Sequence, residues 1–265
     1  MTRARMLFAS LLVAVTLLAQ NHTTTDASKG VGATISSINT STSGWYAWKV
    51  PIGTHSVWCG GRCTLDGNGG FSINGDDQDD DGPAVRGEML MALRIEEGKI
   101  RKVRLFNPSC EIETRGKTLH MLTNVSVESS VEYLLSQIRS ADREGELMAA
   151  LSLHEHPRVV PALIDLARHD PETEVRRHAI FWLGQKAGAK AAAELRRAVD
   201  EDPDDDVKQH AVFAISQLPV DRSVPLLIEL VKTHKNRKVR ERSMFWLAQT
   251  GDPRAIDLIE SILMR

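Results

Sequence analysis

The sequence EVRRHAIFWLG at residues 174–184 indicates the architecture of the C-terminal half, because its pattern returns at one fixed spacing. It recurs as DVKQHAVFAIS at residues 206–216 and as KVRERSMFWLA at residues 238–248, 32 positions later each time. A weaker copy upstream places LMAAL at residues 147–151 in the same apolar positions. A fixed period of this kind is typical of solenoids, in which each repeat buries its apolar face against its neighbours.

Each repeat is predicted to contain two helices. Apolar residues in the second half of the repeat recur three or four positions apart, which places them on one helix face. One column across the repeats consists of Leu163, Leu195, Leu227 and Ile259. Breaks are expected where Asp170, Asp202 and Leu218 precede proline, and Asp or Asn before a helix caps its free N–H groups. The predicted repeats are residues 140–171, 172–203, 204–235 and 236–265.

The charge balance argues against a nucleic-acid-binding protein. The chain has 33 Lys and Arg residues against 35 Asp and Glu residues, a net charge of −2. A general nucleic-acid footprint needs a strongly basic face. Basic residues concentrate only at residues 232–242, which are interpreted as a solvated turn and an outer helix face, with a local site for an acidic partner as the second interpretation.

Residues 1–19 are predicted to be a signal peptide. Arg3 and Arg5 precede an apolar run at residues 6–19, which is too short to span a bilayer but suits a signal-peptide core. With cleavage after Ala19, the protein is expected to be exported to the periplasm or the extracellular space, without an integral membrane segment. An uncleaved membrane anchor is the alternative.

The three cysteines are interpreted in that compartment, which permits disulfides. One bridge and one spare thiol is the simplest arrangement for Cys59, Cys63 and Cys110. The predicted bridge joins Cys63 to Cys110, and a Cys59–Cys110 bridge is the alternative. Zinc held by three thiolates is the weaker interpretation, because no nearby His completes the tetrahedron.

A small β-rich domain is predicted for residues 44–128, after a flexible leader at residues 20–43 that is rich in Thr, Ser, Asn and Gly. Its three Trp residues are expected to fill the domain core rather than line a ligand groove. A hairpin is predicted from residues 89–95 and 100–106, with a further strand within residues 118–127. Residues 129–139 are predicted to form a helix that covers the open end of the first repeat.

An acidic stretch within this domain matches the calcium-loop pattern D-x-D-x-D-G-x5-E. The residues that would bind the ion are Asp77, Asp79, Asp81 and Glu88. The flanks differ from those of a calcium-binding helix–loop–helix, being glycine-rich before the loop and strand-like after it. A solvated acidic loop is therefore the favoured interpretation, and calcium is the one cofactor considered.

Other candidate sites have structural interpretations. The stretch His154–His156 has residue types that bind metals, but it lies in a predicted surface turn. His178 and His210 share one repeat position, which Arg242 occupies in the next copy, and Arg is no metal ligand. The aromatic residues at the repeat period are expected to form inter-repeat core. No nucleophile elbow, P-loop or dinucleotide fingerprint is present.

The segments at residues 175–184, 207–216 and 239–248 resemble HEAT repeats of the short PBS-lyase-like kind, over about residues 140–265. The complete layout is similar to that of secreted bacterial HEAT-repeat proteins, with a signal peptide, a cysteine-containing β segment and then repeats. The resemblance implies an α+β protein whose α-solenoid of about four helix pairs binds proteins rather than catalysing a reaction.

Two enzyme families share this repeat type. Deoxyhypusine hydroxylase holds iron with His-Glu pairs, but Ala179 and Ala211 stand here where Glu would follow the His. Only His154 is followed by Glu, so a di-iron site is unsupported. Bilin lyases act on cytoplasmic or plastid antenna proteins, which does not fit an exported chain.

The sequence therefore predicts a non-enzymatic scaffold or regulator of the cell envelope that binds another protein through its solenoid. The partner-binding candidates are Arg176, Arg177, Lys208, Gln209, Arg240 and Glu241. The alternative is a ligand-binding, metal-binding or redox-sensing protein that uses the Trp and Cys residues of the β domain.

Overall fold

The computed structural model describes residues 22–38, 44–59, 63–66, 71–73, 85–108, 111–141, 144–187 and 191–264. It contains a mixed β-sheet followed by a stack of helices, which confirms the predicted α+β class. The described strands are β1 (His22–Asp26), β2 (Gly44–Cys59), β3 (Phe71–Ile73), β4 (Val85–Glu96), β5 (Lys99–Phe106) and β6 (Leu119–Thr123). They lie in the order β1-β6-β2-β4-β5, and β3 pairs with β2.

The predicted hairpin forms the β4–β5 edge of the sheet. β4 pairs antiparallel with β5, and only Glu97 and Gly98 lie between the two strands. Both residues have positive φ angles, 51° and 74°, as a two-residue type I′ turn requires. The hairpin is therefore confirmed, and β4 begins at Val85, earlier than the apolar run alone indicates.

The prediction of a flexible leader is wrong for residues 22–38, which form β1 and helix α1 (Val31–Ser37). β1 lies parallel to β6, with Thr24 opposite Met121. Helix α1 buries Val31 and Ile35 in the main core. Thr-rich composition favours disorder in an isolated segment, but Thr is β-branched and suits a strand once a sheet edge is available.

The helices that follow the sheet form pairs. Helix α2 (Val127–Gln137) continues into a short 3-10 turn at Ile138–Ser140. The pairs are α3 (Glu144–Leu153) with α4 (Val159–His169), α5 (Thr173–Ala187) with α6 (Ala192–Glu201), α7 (Asp205–Ser216) with α8 (Val220–Thr233), and α9 (Arg237–Gln249) with α10 (Pro253–Leu263). Each pair lies inside one of the predicted repeats.

Polar side chains begin the later helices as the sequence indicates. Asp204 caps α7 by accepting from Asp206 N at 2.8 Å, and Asn236 caps α9 by accepting from Lys238 N at 2.9 Å. Asp252 caps α10 in the same way. These side chains satisfy N–H groups that have no partner within the helix, so the starts of these helices are encoded locally.

The helix pairs build two layers. The first helices α3, α5, α7 and α9 pack closely on one another, whereas the second helices α4, α6, α8 and α10 lie farther apart. The first-helix layer is therefore on the inner side of the stack. Leu163, Leu195 and Leu227 are fully buried between the layers, as their common repeat position predicts.

The sheet and the helices share one hydrophobic core. Side chains of β2 alternate, so that Trp48 and Val50 face the helices while Trp45 and Ala47 pack in a second cluster on the other sheet face. Trp45 and Trp48 are both buried, which confirms their prediction as core residues.

A buried chain of hydrogen bonds fastens the sheet to the first repeat. Trp48 Nε1 donates to Ser130 Oγ at 2.8 Å, and Ser130 Oγ lies 2.8 Å from His154 Nε2. His154 Nδ1 donates to the Ala150 carbonyl at 2.8 Å, which leaves Nε2 to accept the Ser130 hydroxyl proton.

The turn predicted at His154–His156 is confirmed between α3 and α4, but the surface location predicted for His154 is wrong. This side chain is fully buried, and its burial lowers its pKa to about 4, so the imidazole is neutral at pH 7. Its partners come from α2 and α3, and through Ser130 it is linked to the sheet. His154 is a structural residue rather than a surface metal ligand.

Candidate functional site

Aromatic rings cross the inner, first-helix layer from α5 to α9. The Phe181 and Phe213 rings stack with centroids 6.0 Å apart, and the Phe213 and Trp246 centroids are 4.9 Å apart. Trp182 packs edge-on against Phe181, and Phe245 packs edge-on against Trp246. We name these five residues the aromatic ladder.

The aromatic ladder links the repeats, as expected, but it is not enclosed core. Phe245 is 49% exposed, and the other four residues are half-buried. The residues beneath it on the same helices, such as Ala179 and Val212, are fully buried. The ladder is therefore an apolar strip along a surface whose supporting core is well packed.

Arg242 lies on the last step of the aromatic ladder. Its guanidinium carbon is 5.6 Å from the centroid of the Phe245 ring and 5.4 Å from that of the Trp246 ring. A cation in this position is attracted by the negative faces of the rings. Arg242 forms no ion pair with the described part of the chain, so its charge is available to an anion.

Two histidines lie beside the ladder. His178 and His210 occupy the same position in α5 and α7, and burial lowers the pKa of each. The neighbouring Arg177 lowers both pKa values further, because a cation disfavours a second positive charge. Both imidazoles are therefore neutral donors and acceptors at pH 7 rather than cations.

Three of the predicted partner-binding residues share one position of the repeat: Arg176, Lys208 and Arg240. The side chain at this position has a structural role. Each donates to two backbone carbonyls near the end of the preceding second helix, at distances of 2.9 to 3.1 Å. Positive charge at a helix C-terminus is stabilising, and the last carbonyls there have no partner within the helix.

The prediction that Arg176 contacts a partner protein is wrong. It is only 7% exposed, and its Nε and Nη2 donate to the two carboxylate oxygens of Asp202 at 2.9 and 3.2 Å. The side chain fastens α5 to the turn after α6 and has no surface to offer another protein.

The other three predicted contacts lie along the aromatic ladder, four residues before each Phe. Arg177 pairs with Glu174, Gln209 donates to the Asp205 carbonyl at 3.3 Å, and Glu241 pairs with Arg237 at 2.7 Å. These side chains are half-buried or exposed and line one border of the strip.

A column of glutamines lines the opposite border and was not singled out from the sequence. Gln185, Gln217 and Gln249 follow the three Phe residues by four positions, and all three are exposed. Their spacing of 32 residues is the signal that identifies them. Each amide group can donate and accept hydrogen bonds.

The calcium and cysteine predictions fall largely outside the described residues. Asp77, Asp79 and Asp81 are not described, while Glu88 lies on β4 and pairs with Lys49 at 3.1 Å. Cys63 is half-buried beside the second core cluster, and Cys110 and the Cys59 side chain are not described. Both the calcium site and the Cys63–Cys110 bridge stay predictions.

The described residues contain no cluster of three or more His, Cys, Asp or Glu side chains arranged to hold a metal ion. Among them there is also no helix with the length and apolar content needed to cross a bilayer. A cavity of about 160 Å³ lies between α4, α5 and α6, bordered by the paired charges of Arg168 and Glu194.

Comparison with known proteins assigns the repeats to a family. The sequence profile of the family described as HEAT repeats matches residues 160–243 and 192–265. No curated protein matches the chain. Among solved structures, the complex of CpcE and CpcF of phycocyanin lyase from Nostoc sp. is similar over 45% of this chain and 77% of that chain, at 16% identity and a TM-score of 0.36. Residues 160–265 of this chain are therefore HEAT repeats, as the 32-residue period predicts.

Proposed function

We propose that this protein is a non-enzymatic scaffold or regulator that binds another protein through the inner face of its HEAT repeats. The observation that supports this proposal is the half-exposed aromatic ladder on a firmly packed helix layer. Contiguous exposed apolar surface with a polar border marks interaction sites, and aromatic residues are enriched where binding energy concentrates.

The fastening of the repeats supports binding without a large change of shape. The first repeat is joined to the sheet through Ser130 and His154, and Arg176 joins the second repeat to the first by donating to the Asp170 and Pro171 carbonyls. A rigid surface loses little conformational entropy when a partner binds, which favours affinity. The sheet would then act as a fixed base for the solenoid.

The compartment in which this binding takes place is part of the proposal. The basic and apolar residues 1–19 suit a signal peptide, and a Cys63–Cys110 bridge would form in an oxidising environment. Intact mass of the natively produced protein, with and without reductant, tests both points. Loss of about 19 residues and a gain of two hydrogens on reduction are expected, whereas a complete N-terminus with three free thiols would contradict export.

Site-specific photo-crosslinking tests the binding proposal in the producing cells. A benzophenone side chain at Gln217, within the inner face, is expected to capture one defined protein, identified by mass spectrometry. The matched control carries the same group at Lys99, which is exposed in the β4–β5 hairpin. Capture at Lys99 alone would place the partner on the sheet and refute binding through the repeats.

A further inference from the structure

We infer that the cavity between α4, α5 and α6 is a binding site for a small, uncharged aromatic molecule with one hydroxyl group. This inference goes beyond protein binding through the inner face, because the cavity lies on the second-helix side of α5. Ile180 and Leu183 of this helix line the cavity, whereas Phe181 and Trp182 belong to the aromatic ladder. The site joins the first repeat, which contributes α4, to the second, which contributes α5 and α6.

Two small side chains account for the cavity. Ala167 of α4 and Ala198 of α6 line it, and both are half-buried. The residues 32 positions later are Val199 and Leu230, which are both fully buried. The space between α4 and α6 therefore lacks the branched side chains that occupy these positions one repeat later. Because a void among packed side chains forfeits their contacts, a ligand that fills it is stabilising.

The cavity has the size of a single ring. Its volume is about 160 Å³, and an apolar cavity of about 150 Å³ is large enough to bind benzene. Its base consists of Ile180 and Leu183, each 1% exposed. A ring that covers this base removes apolar surface from water, and a rigid ring loses little conformational entropy on binding. The occupant is therefore a compact ring rather than a peptide or an acyl chain.

The charges around the cavity are already balanced. Each charged or titratable side chain that lines it has an opposite partner: Arg168 with Glu194, Arg197 with Glu201, Asp202 with Arg176, and His169 with Asp165. A charged ligand would lose its hydration here without meeting an unpaired counter-ion, which is unfavourable. The preferred ligand is therefore uncharged.

The mouth of the cavity favours an aromatic ring with a hydroxyl group. The guanidinium groups of Arg168 and Arg197 border it, and a guanidinium stacks favourably on the face of an aromatic ring. The carboxylates of Glu194 and Glu201 are partly exposed, and their oxygen atoms can accept a hydroxyl proton. Phenol combines the ring with the hydroxyl group and therefore serves as the probe.

Methyl NMR of the full chain titrated with phenol tests this assignment. Saturable shifts of the Ile180, Leu183 and Ala198 methyl groups are expected, with a Kd of about 1 mM, which is within reach of so small a ligand. Cyclohexanol has a similar size without the aromatic face and should bind severalfold more weakly. Benzoate and benzylammonium carry a charge and should bind at least about tenfold more weakly.

Filling the cavity should abolish this binding. A198L introduces the side chain found 32 residues later at Leu230, and A167V does the same for Val199. Either variant should weaken phenol binding at least about tenfold, because the new side chain takes the volume of the ligand. The matched control A193L adds the same side chain at an exposed position of α6 and should leave binding unchanged. Phenol should raise the melting temperature of the wild type and of A193L, but not that of A198L.

Three results would overturn the inference. They are phenol shifts that do not saturate or that lie away from the cavity, phenol binding that persists in both A198L and A167V, and equal affinities for phenol and benzoate. Equal affinities for phenol and cyclohexanol would refute the aromatic class of the ligand. Each variant fills the cavity independently, so misfolding of one leaves the other to decide.

Discussion

The hydroxyl of Ser130 gives the sharpest test of how the sheet is held to the helices. It accepts a hydrogen bond from Trp48 Nε1 and donates one to His154 Nε2, each at 2.8 Å. All three residues are at most 1% exposed, so water has no access to replace the missing partner. The variant S130A removes the hydroxyl while changing the side-chain volume very little.

The expected loss follows from counting the groups left unpaired. S130A leaves one buried donor on Trp48 and one buried acceptor on His154, and each costs about 1–3 kcal/mol. Ala is the better helix former by up to about 0.5 kcal/mol, which offsets part of this cost. The free energy of unfolding should therefore fall by about 1.5–6 kcal/mol, a large share of the roughly 5–15 kcal/mol typical of a domain.

Urea unfolding followed by tryptophan fluorescence measures this loss. The matched control is S136A in the same helix, where the exposed Ser136 hydroxyl donates to the Tyr133 carbonyl and accepts from the Gln137 amide, a group that water can reach. This control should change the free energy of unfolding by less than about 0.5 kcal/mol. A loss below about 1 kcal/mol in S130A, or equal effects in the two variants, would refute a structural role for the hydrogen-bond chain.

Three further predictions concern single side chains. The pKa of His154 is lowered from 6.5 to about 4, so the neutral imidazole contributes fully to stability above about pH 6.5. Because the unfolded chain binds the proton first, the free energy of unfolding should decrease by about 3 kcal/mol as the pH falls to 4. The NMR shifts of the His154 ring should stay constant from pH 7 to pH 5. R176A leaves the buried Asp202 carboxylate without its ion pair and should lower the free energy of unfolding in urea by about 3–5 kcal/mol. R177A should lower it by less than about 1 kcal/mol, because the Arg177 ion pair is partly exposed. Equal losses in the two variants would contradict this distinction. G98A places a side chain at φ +74° in the hairpin turn and should cost about 1–2 kcal/mol in thermal unfolding, with an unchanged melting temperature as the contrary result.

The repeats and the hairpin could be predicted because their signals are local. Apolar spacing, a capping residue and a proline lie within a few positions of one another, and the 32-residue period repeats them. The role of a single side chain depends on which face of its helix it lies on. Arg176 and Arg177 are neighbours in sequence, yet one faces the buried turn at Asp202 and the other lies along the surface strip, because successive helical residues are about 100° apart.

Local sequence signals specify the repeat register, the helix pairs, the capped helix starts and the hairpin, since each depends on residues close along the chain. The tertiary structure decided that residues 22–38 join the sheet and that the sheet shares its core with the helices. It also placed His154 against Ser130 and left the aromatic ladder half-exposed. These features depend on contacts between distant segments, such as Trp48 with Ser130, 82 residues apart, whose energies become available only when the chain has folded.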